Sequence, residues 1–289
     1  MRKIIALMMA LLMVVGVLAA CGNSNTASKA SDKEKATEAA VATADNAATA
    51  DSADVVDDLA KVKENGSLLV GITDFEPMDY QDEGGNWIGF DADMAAKFAE
   101  SIGVGVEFVE IDWDNKILEL NGGTIDCVWN GMTLTDEVTS AMSCSEPYCN
   151  NAQVVVVNKD VADKYQKAED CKELNFAVES GSAGQAQAEA NGFKFTEVKD
   201  QATALMEVAS GTCDAAIIDS LMAAAMVGEG TGYAQLTYTA ALNSEEYGVG
   251  FRKGSNLTEK LNEFFAAAKA DGTMQQIAET YKVQAALIK

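Results

Sequence analysis

The sequence predicts an α/β fold for the part of the chain after about residue 55, and two observations carry this prediction. Short apolar strands alternate with helices throughout this part. The segment Gly123-Thr124-Ile125-Asp126 recurs as Gly211-Thr212-Cys213-Asp214, each time after a predicted helix and before a predicted strand. A glycine-capped helix–turn–strand link is common, so the repeat indicates two similar halves without establishing them.

In the first half, apolar runs predict strands and regularly spaced apolar side chains predict helices. The predicted order is strand 67–73, helix 91–102, strand 106–109, helix 112–120 and strand 125–129. The helix 91–102 has the clearest pattern. Its apolar residues Met94, Phe98 and Ile102 recur every four positions, Asp91 is its predicted N-cap, and Gly103 ends it.

The second half repeats this alternation. Apolar runs predict strands at 153–158, 175–179, 195–198 and 215–218, and helices are predicted at 183–190, 201–209 and 221–227. A late strand at 247–252 then leads into a helix at 257–270 and a terminal helix at 273–282. The whole pattern is that of an α/β protein.

Composition excludes several classes of function. The chain has 289 residues, and 21 Lys+Arg against 45 Asp+Glu give a formal net charge of −24. A surface this acidic repels phosphate backbones, so no nucleic-acid partner is expected. The chain contains no histidine, which removes Ser-His and Cys-His nucleophile pairs and histidine-ligated metal sites. We expect no cofactor, no metal and no catalytic residue.

The N-terminus has the pattern of an export signal. Arg2 and Lys3 precede an apolar run at 4–18, which is too short to span the roughly 30 Å core of a bilayer comfortably. The sequence Leu18-Ala19-Ala20-Cys21 resembles the lipobox of bacterial lipoproteins. The resemblance implies a signal peptide at 1–20 and a lipidated Cys21 carrying acyl chains such as palmitate. The alternative is a plain signal peptide followed by a coincidental cysteine. Residues 21–55 lack aromatic side chains and predict a disordered linker.

Five further cysteines lie in the remaining chain, and their odd number excludes a complete disulfide framework within a monomer. Cys144 and Cys149 are close enough in sequence to pair. None of the spacings resembles a zinc site.

Several short motifs occur in a fixed order along the chain: Leu69-Val70-Gly71 with Phe75-Glu76-Pro77, the stretch 85–93 (Gly-Asn-Trp-Ile-Gly-Phe-Asp-Ala-Asp), Gly131-Met132-Thr133-Leu134-Thr135, Ser145-Glu146-Pro147-Tyr148, Asp214-Ala215 through Asp219, and Tyr247-Gly248-Val249. This ordered set resembles the family-3 extracellular solute-binding proteins, the amino-acid receptors of ABC importers. The stretch 85–93 is the most diagnostic part of the resemblance.

The resemblance implies a two-lobed periplasmic-binding-protein-like fold with two chain crossings between the lobes and a ligand cleft at the hinge. The crossings would fall near 148–152 and 242–247. Lobe 1 would comprise 56–149 and 246–289, and lobe 2 would comprise 150–245. Ligand binding to both lobes would favour their closed arrangement.

The resemblance also implies a set of ligand-binding residues. Phe75 would cover the ligand, Asp219 would accept the ligand's α-ammonium group, and Gly181 and Ser182 would offer backbone N–H groups to its α-carboxylate. Asp219 could alternatively cap the following helix. The remaining candidates are the acidic residues of the first loop and the lobe-1 strand end: Asp74, Glu76, Trp129, Asn130, Gly131, Met132 and Thr133. Trp129 could equally be a core residue.

One position departs from the family pattern. The segment after the Met-Thr pair normally reads T-x-E-R, and its arginine binds the α-carboxylate. Here the segment is Thr135-Asp136-Glu137-Val138, and Arg252 lies in the return strand, where a structural role is expected. Three explanations stay open: backbone donors suffice, a lysine reaches into the site, or the ligand has no α-carboxylate.

The resemblance therefore implies a substrate-binding lipoprotein that captures an amino acid or related amine and delivers it to an ABC permease and its ATPase. We expect a monomer on the extracytoplasmic face of the cell membrane, attached through its lipid anchor only. The alternatives are a ligand-sensing receptor domain and a dehydratase-like enzyme on the same fold.

Overall fold

The computed structural model describes residues 56–289. The predicted signal peptide 1–20, the lipidated Cys21 and the linker 21–55 lie outside the described residues. The first helices and strands are α1 (Asp58–Asn65), β1 (Ser67–Ile72), β2 (Tyr80–Gln81), β3 (Trp87–Ile88), α2 (Phe90–Ile102), β4 (Gly105–Glu110), α3 (Lys116–Gly122), β5 (Cys127–Thr133), α4 (Asp136–Ala141), β6 (Ser143–Cys144) and β7 (Cys149–Asn151).

The second series is β8 (Gln153–Asn158), β9 (Asn175–Glu179), α5 (Ala183–Asn191), β10 (Lys194–Val198), α6 (Gln201–Ser210), β11 (Ala215–Asp219), α7 (Ser220–Met226) and β12 (Leu236–Ala241). The chain then forms β13 (Glu245–Phe251), α8 (Leu257–Ala270) and α9 (Thr273–Thr280). Short 3₁₀ turns precede α3 and lie between β8 and β9.

Most of these strands form two separate large sheets, and β2 and β3 form a small antiparallel pair of their own. The predicted two-lobed α/β fold is confirmed. The first sheet has the order β4-β1-β5-β13-β6, with β7 also paired to β13. The second has the order β10-β9-β11-β8-β12. In each sheet the strands that alternate with helices pair in parallel, and the strands nearest the crossings pair antiparallel. The chain leaves the first sheet between β7 and β8 and returns between β12 and β13.

Buried apolar side chains pack against both sheets, and the largest cluster contains residues of both. Phe98, Trp129 and Phe265 pack together on the first sheet, with Trp129 and Phe265 ring centres 5.6 Å apart. On the second sheet the apolar strand residues pack around Phe176 and Phe193, whose rings stack at 4.8 Å. Aromatic pairs of this kind add packing energy beyond the burial of their area.

The N-terminus of α2 differs from the prediction. Its N-cap is Gly89, and Asp91 lies one residue inside the helix. Gly89 has a φ of +132°, and a Cβ there would lie 2.1 Å from the carbonyl oxygen of Met78. Only glycine fits this backbone position. The Asp91 carboxyl is therefore free to turn inward, where it accepts hydrogen bonds from the Gly131 N–H and the Tyr148 hydroxyl.

Arg252 joins three segments of the first lobe. Its guanidinium binds the carboxylates of Asp58 at 3.0 Å and Asp126 at 2.9 Å. It also donates to the carbonyl oxygens of Leu120 and Ile125. Asp58 is completely buried, and the Arg252 side chain is 14% exposed. These contacts confirm a structural role and leave Arg252 unavailable to a ligand.

We predict that Arg252→Ala lowers the free energy of unfolding by about 3–5 kcal/mol, because the buried Asp58 loses its guanidinium partner and keeps only the exposed Lys61 ammonium group at 3.1 Å. Chemical denaturation measures this loss. The matched control is Lys260→Ala, which removes a cation from an exposed pair with Glu263 and should change stability by no more than about 1 kcal/mol. Equal effects of the two substitutions would contradict the assigned role of Arg252.

Candidate ligand-binding site

A cavity of about 240 Å³ lies between the two sheets. Both lobes contribute to its wall, and the lining residues are Phe75, Trp113, Lys116, Asn130, Gly131, Met132, Thr133, Thr135, Asp136, Glu137, Val138, Glu179, Gly181, Ser182, Ala183, Ala186, Gln201 and Asp219. The volume is below the roughly 300–1,000 Å³ typical of pockets for drug-sized ligands. The cavity therefore suits a small solute.

The structure brings eight of the sequence-predicted site residues together in this wall: Phe75, Asn130, Gly131, Met132, Thr133, Gly181, Ser182 and Asp219. It places the other three elsewhere. Trp129 is 1% exposed and packs in the core of the first lobe, so the core interpretation of this residue is the correct one. Asp74 and Glu76 border a separate depression beside Lys199 and Asp200, because the chain turns away from the cavity on both sides of Phe75.

Two glycines allow the walls to approach closely. Gly131 has a φ of +53°, and a Cβ there would lie 2.5 Å from Phe75 Cε1. Gly181 has a φ of +70°, and a Cβ there would lie 2.7 Å from the Asp114 Cα on the opposite lobe. Both positions combine left-handed backbone with a near contact, a combination that only glycine accommodates.

Most of the predicted carboxylate donors are already engaged within the protein. The Gly131 N–H donates to Asp91, the Gly181 N–H donates to Gln185 Oε1 at 2.7 Å, and the Thr133 hydroxyl donates to Glu245 Oε1 at 2.9 Å. Ser182 differs, because its Oγ accepts from the Gln185 N–H and caps α5 while its own hydroxyl proton remains to be donated.

Val138 holds the sequence position at which the family pattern has an arginine, and Lys116 is a cation in the same cavity wall. Val138 is buried and lines the cavity. Lys116 is also buried, and its ammonium group donates to the Gly181 carbonyl at 2.8 Å and the Trp113 carbonyl at 3.3 Å. Burial lowers the pKa of Lys116, and the charges of nearby carboxylates act in the opposite direction. With three N–H donors, this ammonium group can still donate one hydrogen bond.

Asp219 is held by a network of amide and hydroxyl donors. Its Oδ1 accepts from Asn151, from Gln153 at 3.0 Å and from the Tyr247 hydroxyl at 2.7 Å. Its Oδ2 accepts from Gln201 at 2.5 Å. Each carboxylate oxygen has two lone pairs, so Oδ2, which accepts from Gln201 alone, retains capacity for one more donor. The predicted role of Asp219 as a helix cap is not realised, since its side chain makes no capping bond.

The same donors connect Asp219 to the chain crossings. Asn151 and Gln153 lie at the outward crossing, and both also donate to Glu245 Oε1, at 2.6 Å and 2.8 Å. Glu245 begins β13, the returning strand. Burial, followed by the charge of Glu245, raises the pKa of Asp219 to about 7. The carboxyl of Asp219 is thus linked to both crossings.

Glu179 is a cavity residue that the sequence analysis missed. It ends β9, is 2% exposed, and its Oε1 is buried without a hydrogen-bond partner among the described residues. Burial, with the charges of Asp219 and Asp200, raises the pKa of Glu179 to about 8. The sequence did hold a signal for this residue, because Glu179 ends a predicted strand and lies two residues before the predicted site residue Gly181.

A second pair of buried carboxyls lies behind the Phe75 loop. Asp79 accepts from Asn130 at 2.8 Å, and Asp91 accepts from Gly131 and Tyr148. Burial raises the pKa of Asp91 to about 7. Burial, and then the charge of Asp91, raises the pKa of Asp79 well above its ordinary range.

Other features of residues 56–289 add little to the site. Within this range no cluster of three or more histidine, cysteine or acidic side chains could hold a metal ion. The five described cysteines, Cys144 and Cys149 among them, are unpaired. None of the helices in the same range combines the length and apolar character that a bilayer crossing requires.

The chain is similar in sequence to proteins of a known family. The profile of the bacterial extracellular solute-binding proteins, family 3, matches residues 68–284. The L-cystine-binding protein of Escherichia coli (strain K12) is 29% identical over 227 residues, which is 77% of this chain and 85% of that protein.

Two crystal structures have the same fold. One is a substrate-binding protein of an ABC uptake transporter from Streptococcus pneumoniae with bound histidine, at 30% identity and a TM-score of 0.75, covering 81% of this chain and 99% of that one. The other is an ancestral amino-acid-binding protein that is a precursor of cyclohexadienyl dehydratase, at 33% identity and a TM-score of 0.71, covering 78% of this chain and 99% of that one.

We predict that the ligand-free protein is more stable at pH 5 than at pH 8. The buried carboxyls of Asp79, Asp91, Glu179 and Asp219 have folded-state pKa values above their unfolded values. Their protonated forms therefore stabilise the fold at low pH, and this contribution is lost as the pH rises through about 7–8. The free energy of unfolding should fall by more than about 1.4 kcal/mol, the equivalent of one pKa unit.

Denaturation at several pH values measures this slope. Asp91→Asn should flatten it by removing one titrating group. Asp82→Asn is the matched control, because Asp82 is only partly buried and its hydrogen bonds with Asn86 and the neighbouring backbone lower its pKa. A stability that rises between pH 5 and pH 8 would show that these carboxyls are ionised in the folded protein.

Proposed function

Since the chain belongs to the bacterial extracellular solute-binding proteins of family 3, we propose that it captures an amino acid or related amine between its two lobes and delivers it to an ABC permease and its ATPase. Lipidation at Cys21 would hold it, as a monomer, on the extracytoplasmic face of the cell membrane. The lobes would comprise 56–149 with 246–289, and 150–245. The cystine-binding relative and the neighbour with bound histidine described above support the ligand class.

One observation carries the proposal. Asp219 is a buried carboxyl in the wall of a cavity between two lobes, held by four donors and still able to accept one more hydrogen bond. An ammonium group is the donor that best compensates a buried carboxylate. The ligand's α-ammonium group would bind Asp219 Oδ2, and Phe75 would pack over its carbon skeleton.

The α-carboxylate would bind on the opposite side of the cavity. Among the described residues that line the cavity, Lys116 is the one cation, and the Ser182 hydroxyl lies in the same wall. Since Gly131, Gly181 and Thr133 already donate within the protein, we favour the explanation in which a lysine replaces the family's arginine. Lys116 also contacts the Gly181 carbonyl across the cavity, so a ligand bound there would touch both lobes and favour their closure.

Binding without chemical change is part of the proposal. A carboxyl with a raised pKa and a lysine with a lowered one in the same cavity are also typical of catalytic sites. One structural neighbour is a precursor of a dehydratase, so turnover has to be tested directly.

We predict that a cognate amino acid raises the free energy of unfolding by about 2.7 kcal/mol at a hundredfold excess over its Kd. Thermal-shift measurements over amino acids and amines would identify it, and mass spectrometry should recover it unchanged. Asp219→Asn should abolish the shift because the amide cannot compensate an ammonium charge. Asp74→Asn is the control outside the cavity and should preserve it. A shift that survives Asp219→Asn would refute the role of Asp219.

We also predict that Lys116→Met weakens the binding of amino acids about tenfold or more, the loss expected when a charged hydrogen-bond donor is removed. The affinity for an amine without a carboxylate should not fall. Isothermal titration calorimetry measures both affinities. Lys97→Met removes a cation from an exposed pair with Glu100 and serves as the control. If Lys116→Met lowers the affinity for amino acids and for amines equally, the ligand's α-carboxylate does not bind Lys116.

A further inference from the structure

The Glu179 carboxyl is buried, and one of its two oxygens is unpaired within residues 56–289. Its Oε1 lacks any hydrogen bond among the described residues although the residue is 2% exposed and lines the cavity. An unpaired carboxylate in such a place is costly. β9 and β11 are adjacent parallel strands, so Glu179 and Asp219 lie beside each other at the same edge of the sheet. Each therefore increases the cost of ionising the other.

Lys116 acts on Glu179 through its charge but forms no direct ion pair with it. Its ammonium group is bound to the carbonyl oxygens of Gly181 and Trp113. The ion pairs found within residues 56–289 involve neither Lys116 nor Glu179. Two other carboxylates of the wall, Asp136 and Glu137, are exposed at its rim, so they add negative potential and no compensation.

The charges of the cavity favour a ligand with an additional cation. If a zwitterionic amino acid binds through Asp219 and Lys116, its two charges are matched and the Glu179 carboxyl is still unpaired. A ligand with a second ammonium or guanidinium group brings one more positive charge, and the buried charges of cavity and ligand then balance. Buried charges are tolerated when they are paired in this way.

We propose that Glu179 is a specificity-determining residue that binds a second cationic group of the ligand, so that the cavity selects diamino or guanidino acids over neutral amino acids. This inference rests on the proposed function, because it assumes that Asp219 binds the α-ammonium group. Glu179 would be the residue that distinguishes a basic side chain from a neutral one of the same shape.

The test compares basic ligands with neutral analogues of similar shape. Isothermal titration calorimetry would measure 2,4-diaminobutyrate, ornithine, lysine and arginine against 2-aminobutyrate, norvaline, norleucine and citrulline. Wild type should bind at least one basic ligand about tenfold to a hundredfold more tightly than its neutral analogue, the range for a charged hydrogen bond. The length of the preferred diamino acid reports the separation of the two carboxyls.

Glu179→Gln should remove this preference, because the amide carries no charge to pair with the second cationic group of the ligand. Glu76→Gln, which neutralises a carboxylate of the first loop outside the cavity, should keep the preference. If Glu179→Gln weakens basic and neutral ligands equally, Glu179 shares the α-ammonium with Asp219 and the inference is wrong. It is also wrong if wild type prefers neutral amino acids, although the proposed function would stand. If no amino acid or amine binds, both fail.

Proton release gives a second readout that does not depend on any variant. Glu179 is faced by Asp219 on β11, Asp200 at the N-terminus of α6 and Lys116 on α3. Its pKa of about 8 means that the empty cavity holds a proton on Glu179 near pH 7. A cation bound to Glu179 favours the ionised form, so basic ligands should release more protons than their neutral analogues. Titrations in buffers of different ionisation enthalpy would measure the difference, and equal release would overturn the inference.

Discussion

The arrangement of the binding cavity depends on how the Asp219 carboxyl is held away from water. Taking a carboxylate out of water is unfavourable unless donors replace the lost hydration. Here the donors come from Asn151 and Gln153 at one chain crossing, Tyr247 on the returning strand and Gln201 on α6. Because Glu245 shares two of these donors, the network joins the floor of the cavity to the segments that connect the lobes. A ligand bound to Asp219 therefore contacts the group that is most directly coupled to the crossings.

The small number of positively charged side chains available to the cavity limits how it can bind a carboxylate. The chain has only two arginines, and Arg252 is fully engaged with Asp58 and Asp126. The family's arginine position holds Val138, so Lys116 provides the positive charge in the cavity. A lysine offers three donors on one atom, whereas an arginine offers a planar fork. Lys116 already uses two donors on backbone carbonyls. Such a site can hold a carboxylate through one hydrogen bond from the lysine and one from Ser182, and it would depend strongly on the remaining contacts of the ligand.

Buried carboxyls recur in both lobes and make protonation part of the protein's behaviour. Asp79 and Asp91 lie behind the Phe75 loop, and Glu179 and Asp219 lie in the cavity wall. The first pair supports the ligand-binding segments through Asn130 and Gly131. Asp79, Asp91 and Glu179 each have one buried oxygen without a hydrogen-bond partner among the described residues, and of these three residues Glu179 lines the cavity. All four carboxyls affect the stability of the fold, and the cavity pair can in addition respond to the charge of a ligand.

Local patterns in the sequence determined most of the fold. The apolar runs of β1, β8 and β9, the spaced apolar side chains of α2 and the glycines that end helices specify secondary structure over a few residues. α1, α4 and β12 were missed, because α1 and α4 are short and mostly polar and β12 has only two buried residues. The family motifs also predicted that Phe75, Gly131 and Asp219 share one site, and all three line the cavity. Only the tertiary structure placed Trp129 in the core and Lys116 beside Gly181, 65 residues away. It alone left the Oε1 atom of Glu179 without a hydrogen-bond partner among the described residues. These outcomes depend on which side chains meet between distant segments, and neither composition nor local periodicity contains that information.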